Sequence, residues 1–541
     1  MEATAHEPSS SRPSTGAASL DTRIDAPCSD PADVDPVLKN PHHELPLARR
    51  LLIMASIVLT QLIQMIPLGA GIVASLSIAA ALGETNPSSA TWIAASYPLT
   101  QSAFILPGGR LGAIFGHKRL LFIGAVIWVA FSLGSGFAPD FVTLCILRGF
   151  TGIGGGLMVP NSVAVLGLTF PPGRLRNLAM GLFGCAAPVG AAGGAIVAGL
   201  LAQLTPWKWM FFFLYCTADI CCSAISGTFV FATVYLSIPA DDPVDRDGSI
   251  DFVGAYLGVG GLILFNFVWN QAPAVGWQTP YEYILLIVSL LHFGAFCYWE
   301  MRVAKHPILP FTIWTRPSFG PLIVVLFLTF MAFGCLLWYL AVWERTIRHY
   351  TNLAIAGSTS PLIIVGGLMA LCSAWLIPRI PAQYITGIGL LAVMTSLILL
   401  GTMPAQQMYW KQAFVAAIIM GMGPDFVATM GQVIASNSVK RHEQGVAGSL
   451  IGVLQTYGLS TGLGFAGTVE SQLNDNGRNP VKGFRGAIFL GVGFCVLALI
   501  INLLFVRVPK DNQEGWKTDD LRHPTEKVRS EVHMDVKEGH V

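Results

Sequence analysis

The sequence predicts an all-α protein that crosses a lipid bilayer many times, and three observations carry this prediction. Of the 541 residues, 53% are hydrophobic and only 12% are charged, which is about half the charged fraction of an average soluble domain. The mean hydropathy is +0.60. The apolar residues also fall into runs of about 20, the length that a helix needs to span the hydrocarbon core. This composition excludes an ordinary soluble enzyme and a disordered protein.

Charge and cysteine usage exclude further classes of protein. The formal net charge is +1 and no basic block is present, so the chain lacks the electrostatic footprint of a nucleic-acid-binding protein. Nine of the ten cysteines lie in apolar runs without zinc-ligand spacing, and no P-loop, histidine box or haem-attachment motif occurs. We therefore expect no cofactor, no metal and no enzymatic or ATP-driven activity.

Fourteen apolar runs predict fourteen transmembrane helices. The first contains Pro67 and the twelfth contains Gly421-Met422-Gly423-Pro424, so these two are the least regular. Residues 1–48, rich in Pro, Ser, Asp and Ala, and residues 509–541, which are mostly charged, are predicted to be disordered tails. The predicted spans are 51–80, 90–109, 119–138, 142–167, 176–203, 210–237, 251–271, 281–301, 318–343, 356–377, 384–403, 410–436, 445–467 and 486–506.

The basic residues of the short loops predict the orientation of these spans. If the N-terminus lies in the cytoplasm, sixteen Lys and Arg residues fall on the cytoplasmic side and seven on the outside. Loops rich in Lys and Arg stay on the cytoplasmic side during insertion. The asymmetry therefore predicts that both tails are cytoplasmic, which also requires an even number of spans.

The loop between the second and third spans carries a motif in which glycines permit a tight turn and basic residues flank it. Its residues are Gly109, Arg110, Gly116, His117, Lys118 and Arg119. This segment resembles the loop 2–3 signature of the major facilitator superfamily. The family usually has an aspartate where this chain has Ala113. Because that acid helps to latch the two helical bundles of the family together, the resemblance implies a latch that is weaker or differently built here.

Four more segments resemble members of this family, and the first three of them resemble its fourteen-helix drug:proton antiporter branch. They are the opening of the second span at 92–99, the arginine motif at 148–152, the tryptophan-basic-tryptophan entry to the sixth span at 207–211, and the run 184–199 in the fifth span. The last of these is similar to the motif associated with antiporters. Its glycines and its proline are Gly184, Pro188, Gly190, Gly193 and Gly194.

Two further segments, 266–283 and 443–470, look like fungal members related to the yeast aminotriazole- and boron-resistance transporters. The resemblance implies the major facilitator fold, with one six-helix bundle at 49–238 and a second at 318–508. A cytoplasmic loop and two extra transmembrane helices at 239–317 would lie between them. Alternating access would then rock the two bundles around a site near the midplane.

Three ionisable residues inside the spans are the proton-coupling candidates, because a charge there costs roughly 2.5–3.5 kcal/mol on the insertion scale. The family links the position of Arg148 to proton coupling, whereas the alternative is an arginine that caps backbone carbonyls. Asp219, near the middle of the sixth span, is either a titrating carboxylate or a hydrogen-bonding contact between helices. Asp425 follows the Gly-Pro break of the twelfth span, where an unwound turn could line a cavity or the carboxylate could cap a helix.

Amide and aromatic side chains in the central spans are the substrate-cavity candidates. A cavity lined by such groups, with few fixed charges, suits neutral or weakly charged organic molecules. Each side chain could instead form a hydrogen bond between helices. The candidates are Gln61, Gln64, Gln101, Asn161, Asn266, Asn270, Trp338 and Gln455.

Together these features predict a secondary transporter, and the resemblance implies a proton-coupled exporter of small organic compounds such as drugs, toxins or secondary metabolites. Its partners would be the substrate, protons and the lipid bilayer, and we expect a monomer in the plasma membrane, with the vacuolar membrane as the other location. The alternatives are a transporter of a small inorganic solute such as borate or ammonium, a vacuolar importer and, from another class, a non-transporting membrane sensor.

Overall fold

The described part of the chain is helical. The regular secondary structure within it contains no strand, which confirms the all-α prediction. In a bilayer, a helix satisfies its own backbone polar groups, so long apolar runs adopt this structure. The computed structural model describes residues 45–84, 86–170, 174–213, 224–239, 243, 248–309, 313–314, 318–376, 379–438, 444–475 and 477–507.

Sixteen helical segments make up these ranges, and they follow the predicted spans closely. The sixth span contains two of them, which flank residues 214–223, and those ten residues lie outside the described part. The segments are α1 (Leu47–Ala81), α2 (Pro87–Phe115), α3 (His117–Gly136), α4 (Phe141–Thr169), α5 (Arg174–Leu204), α6 (Lys208–Phe213), α7 (Ala224–Ser237), α8 (Phe252–Val275), α9 (Pro280–Arg302), α10 (Phe319–Thr346), α11 (Asn352–Leu376), α12 (Ala382–Thr402), α13 (Gln412–Met420), α14 (Gly423–Ser438), α15 (Gln444–Leu473) and α16 (Pro480–Phe505).

The two least regular spans behave differently. The first continues through Pro67 as one helix, α1. The twelfth is interrupted at Gly421 and Met422, which separate α13 from α14. Pro424 then occupies the second position of α14, where the missing N–H of proline costs no helical hydrogen bond. The interruption lies about midway along this span.

Eleven of the described stretches are long and apolar enough to cross a membrane. Helices α2 and α15 are not among these eleven, because Ser, Thr, Gln and Gly interrupt their apolar residues. These two helices pack along each other, and polar residues such as Gln101 and Ser460 are buried. Their polar positions are therefore covered by protein instead of lipid.

Two helix pairs make the most extensive described contacts between α1–α7, which we call the first bundle, and α10–α16, the second bundle. Helix α2 packs against α15, and α5 packs against α11. We call these contacts the α2–α15 seam and the α5–α11 seam. Helix α8 packs against α2, α15 and α9, whereas the main neighbour of α9 is α8. Helices α8 and α9, which we call the inserted pair, therefore lie beside the α2–α15 seam.

Small residues allow α5 to approach α1 closely. A methyl group added to Gly190 would lie 2.1 Å from the carbonyl oxygen of Leu62, and one added to Gly194 would lie 2.2 Å from that of Ile66. Close backbone approach through small residues is a usual way for transmembrane helices to pack. Methyl groups added to Gly184 and Gly193 would meet nothing within 4 Å among the described residues, so only part of the glycine run packs in this way.

Candidate functional site

Arg148 lies seven residues into α4, near the end of the bundle that the sequence predicts to be extracellular. Asp140 fixes the start of α4, because its carboxylate accepts hydrogen bonds from the backbone N–H and the hydroxyl of Thr143 at 2.9 and 2.7 Å. These hydrogen bonds hold the pKa of Asp140 below its ordinary value. Arg148 itself is buried, with 2% of its surface exposed.

The guanidinium of Arg148 joins three helices. Its Nε donates to the carbonyl oxygen of Ile93 in α2 at 2.8 Å, and one Nη donates to that of Pro67 in α1 at 2.9 Å. A methyl group added to Gly71 would lie 2.5 Å from that Nη, so this glycine leaves room for the contact. Within the described residues no carboxylate pairs with Arg148. This geometry matches the alternative in which the arginine caps backbone carbonyls.

A narrow, mostly apolar cleft adjoins Arg148 inside the first bundle. Its walls include Pro67, Tyr97, Ser132 and Phe211, and Arg148 is the one charged side chain among its described lining residues. Asp219, the other predicted coupling residue of this bundle, lies outside the described residues.

The three glutamines of the predicted substrate cavity form a network within the first bundle. The amide of Gln64 donates to Gln61, and that of Gln101 donates to Oε1 of Gln64 at 3.3 Å. A methyl group added to Gly155 of α4 would lie 3.2 Å from Nε2 of Gln101. All three amides are buried between α1, α2 and α4. The contact of Gln101 with Gln64 joins α2 to α1, whereas Gln61 and Gln64 both lie in α1.

Asn161 lies beneath the loop 2–3 signature. Its Oδ1 is 2.8 Å from Nδ1 of His117, and its Nδ2 donates to the carbonyl oxygens of Gly108 and Leu157 at 3.0 and 2.7 Å. A methyl group added to Gly112 would lie 1.7 Å from Oδ1 of Asn161, which explains glycine there. Asn161 therefore ties α2, α3 and α4 together close to Ala113, where the family usually has an aspartate.

The turn and the basic residues of the signature hold neighbouring segments of the first bundle. Gly116 has φ of +98°, a conformation that favours glycine. Lys118 donates to the carbonyl oxygen of Ile238, just after α7, at 2.6 Å, and Arg110 contacts that of Ser249 at 3.4 Å. Arg119 is exposed. A cation at a helix C-terminus satisfies free carbonyls and the helix dipole, so Lys118 caps α7.

Asn266 and Asn270 of α8 connect the inserted pair to the second bundle. The Nδ2 of Asn266 donates to the hydroxyl of Thr461 at 2.9 Å, and that of Asn270 donates to the carbonyl oxygen of Ser460 at 3.2 Å. The Ser460 hydroxyl lies 3.0 Å from Oδ1 of Asn266 and 3.1 Å from the carbonyl oxygen of Ala95 in α2. Both asparagines are buried, and their hydrogen bonds join α8 to α15.

A second contact connects α8 to the first bundle. The indole N–H of Trp92 in α2 donates to Oε1 of Gln271 in α8 at 2.7 Å, and its ring centroid lies 5.3 Å from that of Phe267. Helix α8 therefore makes side-chain contacts to both helices of the α2–α15 seam.

Asp425 lies at the third position of α14, directly after the interruption of the twelfth span. A methyl group added to Gly366 of α11 would lie 3.0 Å from Oδ2 of Asp425 and 3.8 Å from Cβ of Pro188 in α5. In the described part of the chain, Asp425 forms no hydrogen bond and no ion pair. The structure thus brings two of the predicted residues, Asp425 and Pro188, together at the α5–α11 seam.

The last two cavity candidates differ in exposure. Trp338 is packed in the apolar core of the second bundle, with 3% of its surface exposed. Gln455 of α15 is half-buried and has no hydrogen bond among the described residues. Leu459, one turn further along α15, contacts the α1 cluster of Met65 and Leu68. Gln455 therefore lies on α15 one turn from a contact with the first bundle, and its amide has no hydrogen-bond partner among the described residues.

Two carboxylates of the second bundle were not among the predicted site residues. Glu344 is fully buried near the end of α10, one residue beyond the predicted ninth span. Its Oε2 contacts the hydroxyl of Ser358, and its Oε1 has no partner. Glu470 of α15 accepts a hydrogen bond from the hydroxyl of Tyr339 at 2.7 Å. Glu344 could have been identified as a candidate if the ninth span had been predicted to continue as a helix past its last apolar residue.

Comparison with known proteins identifies the family. A sequence profile described as Major Facilitator Superfamily matches residues 53–463, well over half of the chain. The chain belongs to the major facilitator superfamily. Membership makes it a multi-pass membrane transporter rather than an enzyme, as the sequence predicts. The fold predicted for it, with two bundles and an inserted helix pair, is the major facilitator fold.

Three curated relatives of this transporter come from fungi. The efflux pump terJ of Aspergillus terreus is 34% identical over 469 residues, covering 84% of this chain and 89% of the relative. The low affinity ammonium transporter of Saccharomyces cerevisiae is 36% identical over 430 residues, covering 77% and 81%. The aminotriazole resistance protein of the same yeast is 32% identical over 447 residues, covering 81% of each. These relatives confirm the predicted resemblance to fungal drug transporters of this family.

Solved structures of the transporter family share the fold. A crystal structure of a POT family transporter in complex with a thioalcohol-conjugated peptide superposes with a TM-score of 0.61 and 14% identity. The superposition covers 84% of this chain and 95% of that chain. At this identity the likeness concerns the fold alone.

Proposed function

We propose that this transporter exports small organic compounds in exchange for protons and that Asp425 carries the proton. The position of Asp425 supports this proposal most directly. Its carboxylate lies at a helix interruption, about midway along the span, and faces the α5–α11 seam beside Pro188. Interrupted helices near the midplane are where secondary transporters commonly bind their coupling ions.

The coupling follows from the cost of burying a charge. An ionised carboxylate without a partner is expensive in an apolar seam, so ionised Asp425 favours a seam that is open to water. Proton binding removes the charge and allows α11 and α14 to close against α5. Pro188 has no N–H and therefore leaves the carbonyl of Gly184 without its helical donor, which provides a hydrogen-bond acceptor on the opposite side of the seam.

The relatives and the half-buried amide of Gln455 support an organic substrate. One relative is an efflux pump and another is an aminotriazole resistance protein. Neutral or weakly charged organic molecules suit a site with an amide and a single titratable carboxylate. We further propose that the protein acts as a monomer in the plasma membrane with both termini in the cytoplasm. Fluorescent fusions would separate this location from the vacuolar membrane.

Ammonium is the second candidate substrate. The relative described as a low affinity ammonium transporter is 36% identical to this chain. A small cation would bind the Asp425 carboxylate in place of a proton, so ammonium and proton would compete for one group. The organic compound would instead bind beside Asp425 and leave proton binding intact.

Proteoliposomes with an imposed pH gradient test the proposal. Aminotriazole and methylammonium serve as the two probes, and the lumen contains a pH-sensitive dye. We expect aminotriazole to accumulate against its gradient and to release protons in exchange. Asp425→Asn should reduce this gradient-driven accumulation at least tenfold, because the amide cannot change its charge, while exchange of labelled for unlabelled aminotriazole continues.

The matched control is Asp475→Asn, which removes an equal charge from an exposed loop residue and should transport like the wild type. Accumulation by Asp425→Asn at the wild-type level would refute the role of Asp425. Movement of methylammonium but not aminotriazole would favour the ammonium alternative. Failure of the pH gradient to move a probe that binds would refute proton coupling itself.

A further inference from the structure

The two bundles meet at the predicted extracellular end through the first turns of α11. The hydroxyl of Ser77 in α1 donates to Oδ1 of Asn352 at 2.9 Å, and the backbone N–H of Leu353 donates to Oε1 of Gln203 at 3.3 Å. A methyl group added to Gly199 of α5 would lie 2.7 Å from the carbonyl oxygen of Asn352. We call this set the outer contact. It must separate whenever the transporter opens at this end.

Glu344 lies directly behind the outer contact. Its side chain has no exposed surface, and its Oε2 is 2.5 Å from the hydroxyl oxygen of Ser358, in the second turn of α11. The other oxygen, Oε1, is buried without any hydrogen-bond partner. A fixed structural carboxylate normally has both oxygens satisfied. Glu344 is therefore held by one bond, and that bond reaches the helix that forms the outer contact.

Counting hydrogens distinguishes two states of this pair. The Ser358 hydroxyl has one hydrogen, yet its oxygen lies 2.5 Å from Glu344 and 2.8 Å from the carbonyl oxygen of Ile355. Both contacts are hydrogen bonds when Glu344 is protonated. The Ser358 hydroxyl then donates to the carbonyl oxygen of Ile355 and accepts a hydrogen bond from the carboxyl group of Glu344. After loss of that proton, the hydroxyl can serve only one of the two acceptors.

Among the described residues, two other titratable groups face Glu344. Arg348 lies one turn after it, and one buried Nη of its guanidinium has no partner, although no ion pair with Glu344 occurs in the described part of the chain. Tyr409, from the loop after α12, donates to the carbonyl oxygen of Ser358 at 2.7 Å. Burial, and then the charges of Glu344 and Tyr350, raise the pKa of Tyr409 to about 12. Tyr409 therefore stays protonated, and Arg348 is the available partner for an ionised Glu344.

We propose that Glu344 is a positioning residue with two states. When Glu344 carries a proton, its bond to Ser358 holds the outer contact closed. When Glu344 is ionised, its side chain turns to Arg348 and the outer contact is released. The sense of this change fits exchange of a substrate for protons, because a protonated carrier then favours the closed outer end. The inference relies on the proposed proton coupling for its place in the cycle. The movement itself does not depend on the identity of the substrate.

Cross-linking across the outer contact tests this inference in the full-length protein. Cysteines replace Ser77 and Asn352, a short bismaleimide joins them in proteoliposomes, and mass spectrometry quantifies the linked peptides. Glu344→Gln mimics the protonated side chain, because its amide can donate to Ser358. The cross-linking yield of this variant also measures how the reactivity of the bismaleimide itself changes with pH. Relative to Glu344→Gln, the yield with native Glu344 should fall at least threefold between pH 5.5 and pH 8.0.

Two further variants guard against a change that merely perturbs folding. Ser358→Ala should lower the yield at every pH, because the link to α11 is absent. Arg348→Gln should keep the yield high at pH 8.0, because the alternative partner is gone. Equal pH dependence with native Glu344 and in the Glu344→Gln variant, or no pH dependence in either, would overturn the inference. In Asp425→Asn the pH dependence should persist, so failure of transport coupling and failure of the outer contact are distinguishable.

Discussion

The two bundles treat their buried charges in opposite ways. In the first bundle, Arg148 is fixed by backbone carbonyls of two other helices, and Gly71 leaves space for it. In the second bundle, Asp425 has no hydrogen bond among the described residues, and Glu344 has one unpartnered oxygen. The permanently charged guanidinium of Arg148 is thus held by backbone hydrogen bonds. The carboxylates of Asp425 and Glu344, which can lose their charge, have few hydrogen-bond partners.

This difference indicates that the buried charges of the two bundles have different roles. Backbone carbonyls cannot move without disturbing their helices, so Arg148 stabilises the first bundle in one arrangement. A carboxylate with an open position can change its partner when its protonation changes. The second bundle is therefore where we expect proton-driven movement to begin, and the following predictions test that contrast in order of decreasing effect.

Replacement of Arg148 should have the largest effect on stability. Arg148→Ala leaves the carbonyls of Ile93 and Pro67 without their donor, and we expect a loss of about 3 kcal/mol, equivalent to roughly 5–10 °C in melting temperature. Arg148→Lys keeps the charge but can reach fewer acceptors, so its melting temperature should lie between those of the wild type and Arg148→Ala. Thermal unfolding in detergent provides the measurement. A stable Arg148→Ala protein with an altered pH profile of transport would contradict the contrast and restore a coupling role.

The Asn161 contact should respond as one coupled unit. Gly112→Ala introduces a clash with Asn161 and should cost about 1–3 kcal/mol, and Asn161→Ala should cost a similar amount through lost hydrogen bonds. Because removal of the amide also removes the closest clash and leaves that with Nδ1 of His117 at 2.7 Å, the double variant should be less destabilised than the sum by about 1 kcal/mol or more. Gly134→Ala, whose methyl group would lie 3.5 Å from Leu147, is the neutral control. Strict additivity would show that the two sites are independent.

A pair of tyrosines offers the finest comparison. Tyr339→Phe removes the hydroxyl that donates to Glu470, and Tyr457→Phe removes one that donates to the backbone oxygen of Leu262 at 2.9 Å. Each should cost about 1 kcal/mol. Only Tyr339→Phe should change the pH profile of transport, because only its partner can titrate. Identical pH profiles in both variants would place Glu470 among the merely structural contacts.

The sequence predicted the helices well because their cause is local. Runs of apolar residues, with Gly-Pro at the twelfth span, determine where helices start and stop. The helix ends were predicted less exactly: the apolar run of the ninth span ends at residue 343, but α10 continues to Thr346, and contacts with α11 bury Glu344 in its last turn.

The site was less predictable because it depends on contacts between distant segments. Gln64, Asn161 and Asn266 are amides in central spans, and nothing in their own sequence surroundings distinguishes a cavity from a helix contact. The structure places hydrogen-bond partners for these amides in other helices, up to 195 residues away for Asn266, and local sequence does not reveal such partners. The proximity of Asp425 and Pro188 to Gly366 likewise depends on the α5–α11 seam, which joins residues from different bundles.

The position of α8 has an evolutionary consequence. Ser460 and Thr461 of α15 and Trp92 of α2 present polar groups that α8 satisfies. If α8 and α9 were deleted, the Trp92 N–H would lose its partner, and the hydroxyls of Ser460 and Thr461 would face lipid with only the backbone oxygens of Ala95 and Tyr457 as partners. An inserted helix pair that began as a dispensable addition would thus have become entrenched. A twelve-helix descendant of this chain would need compensating apolar substitutions on α2 and α15 before the deletion could be tolerated.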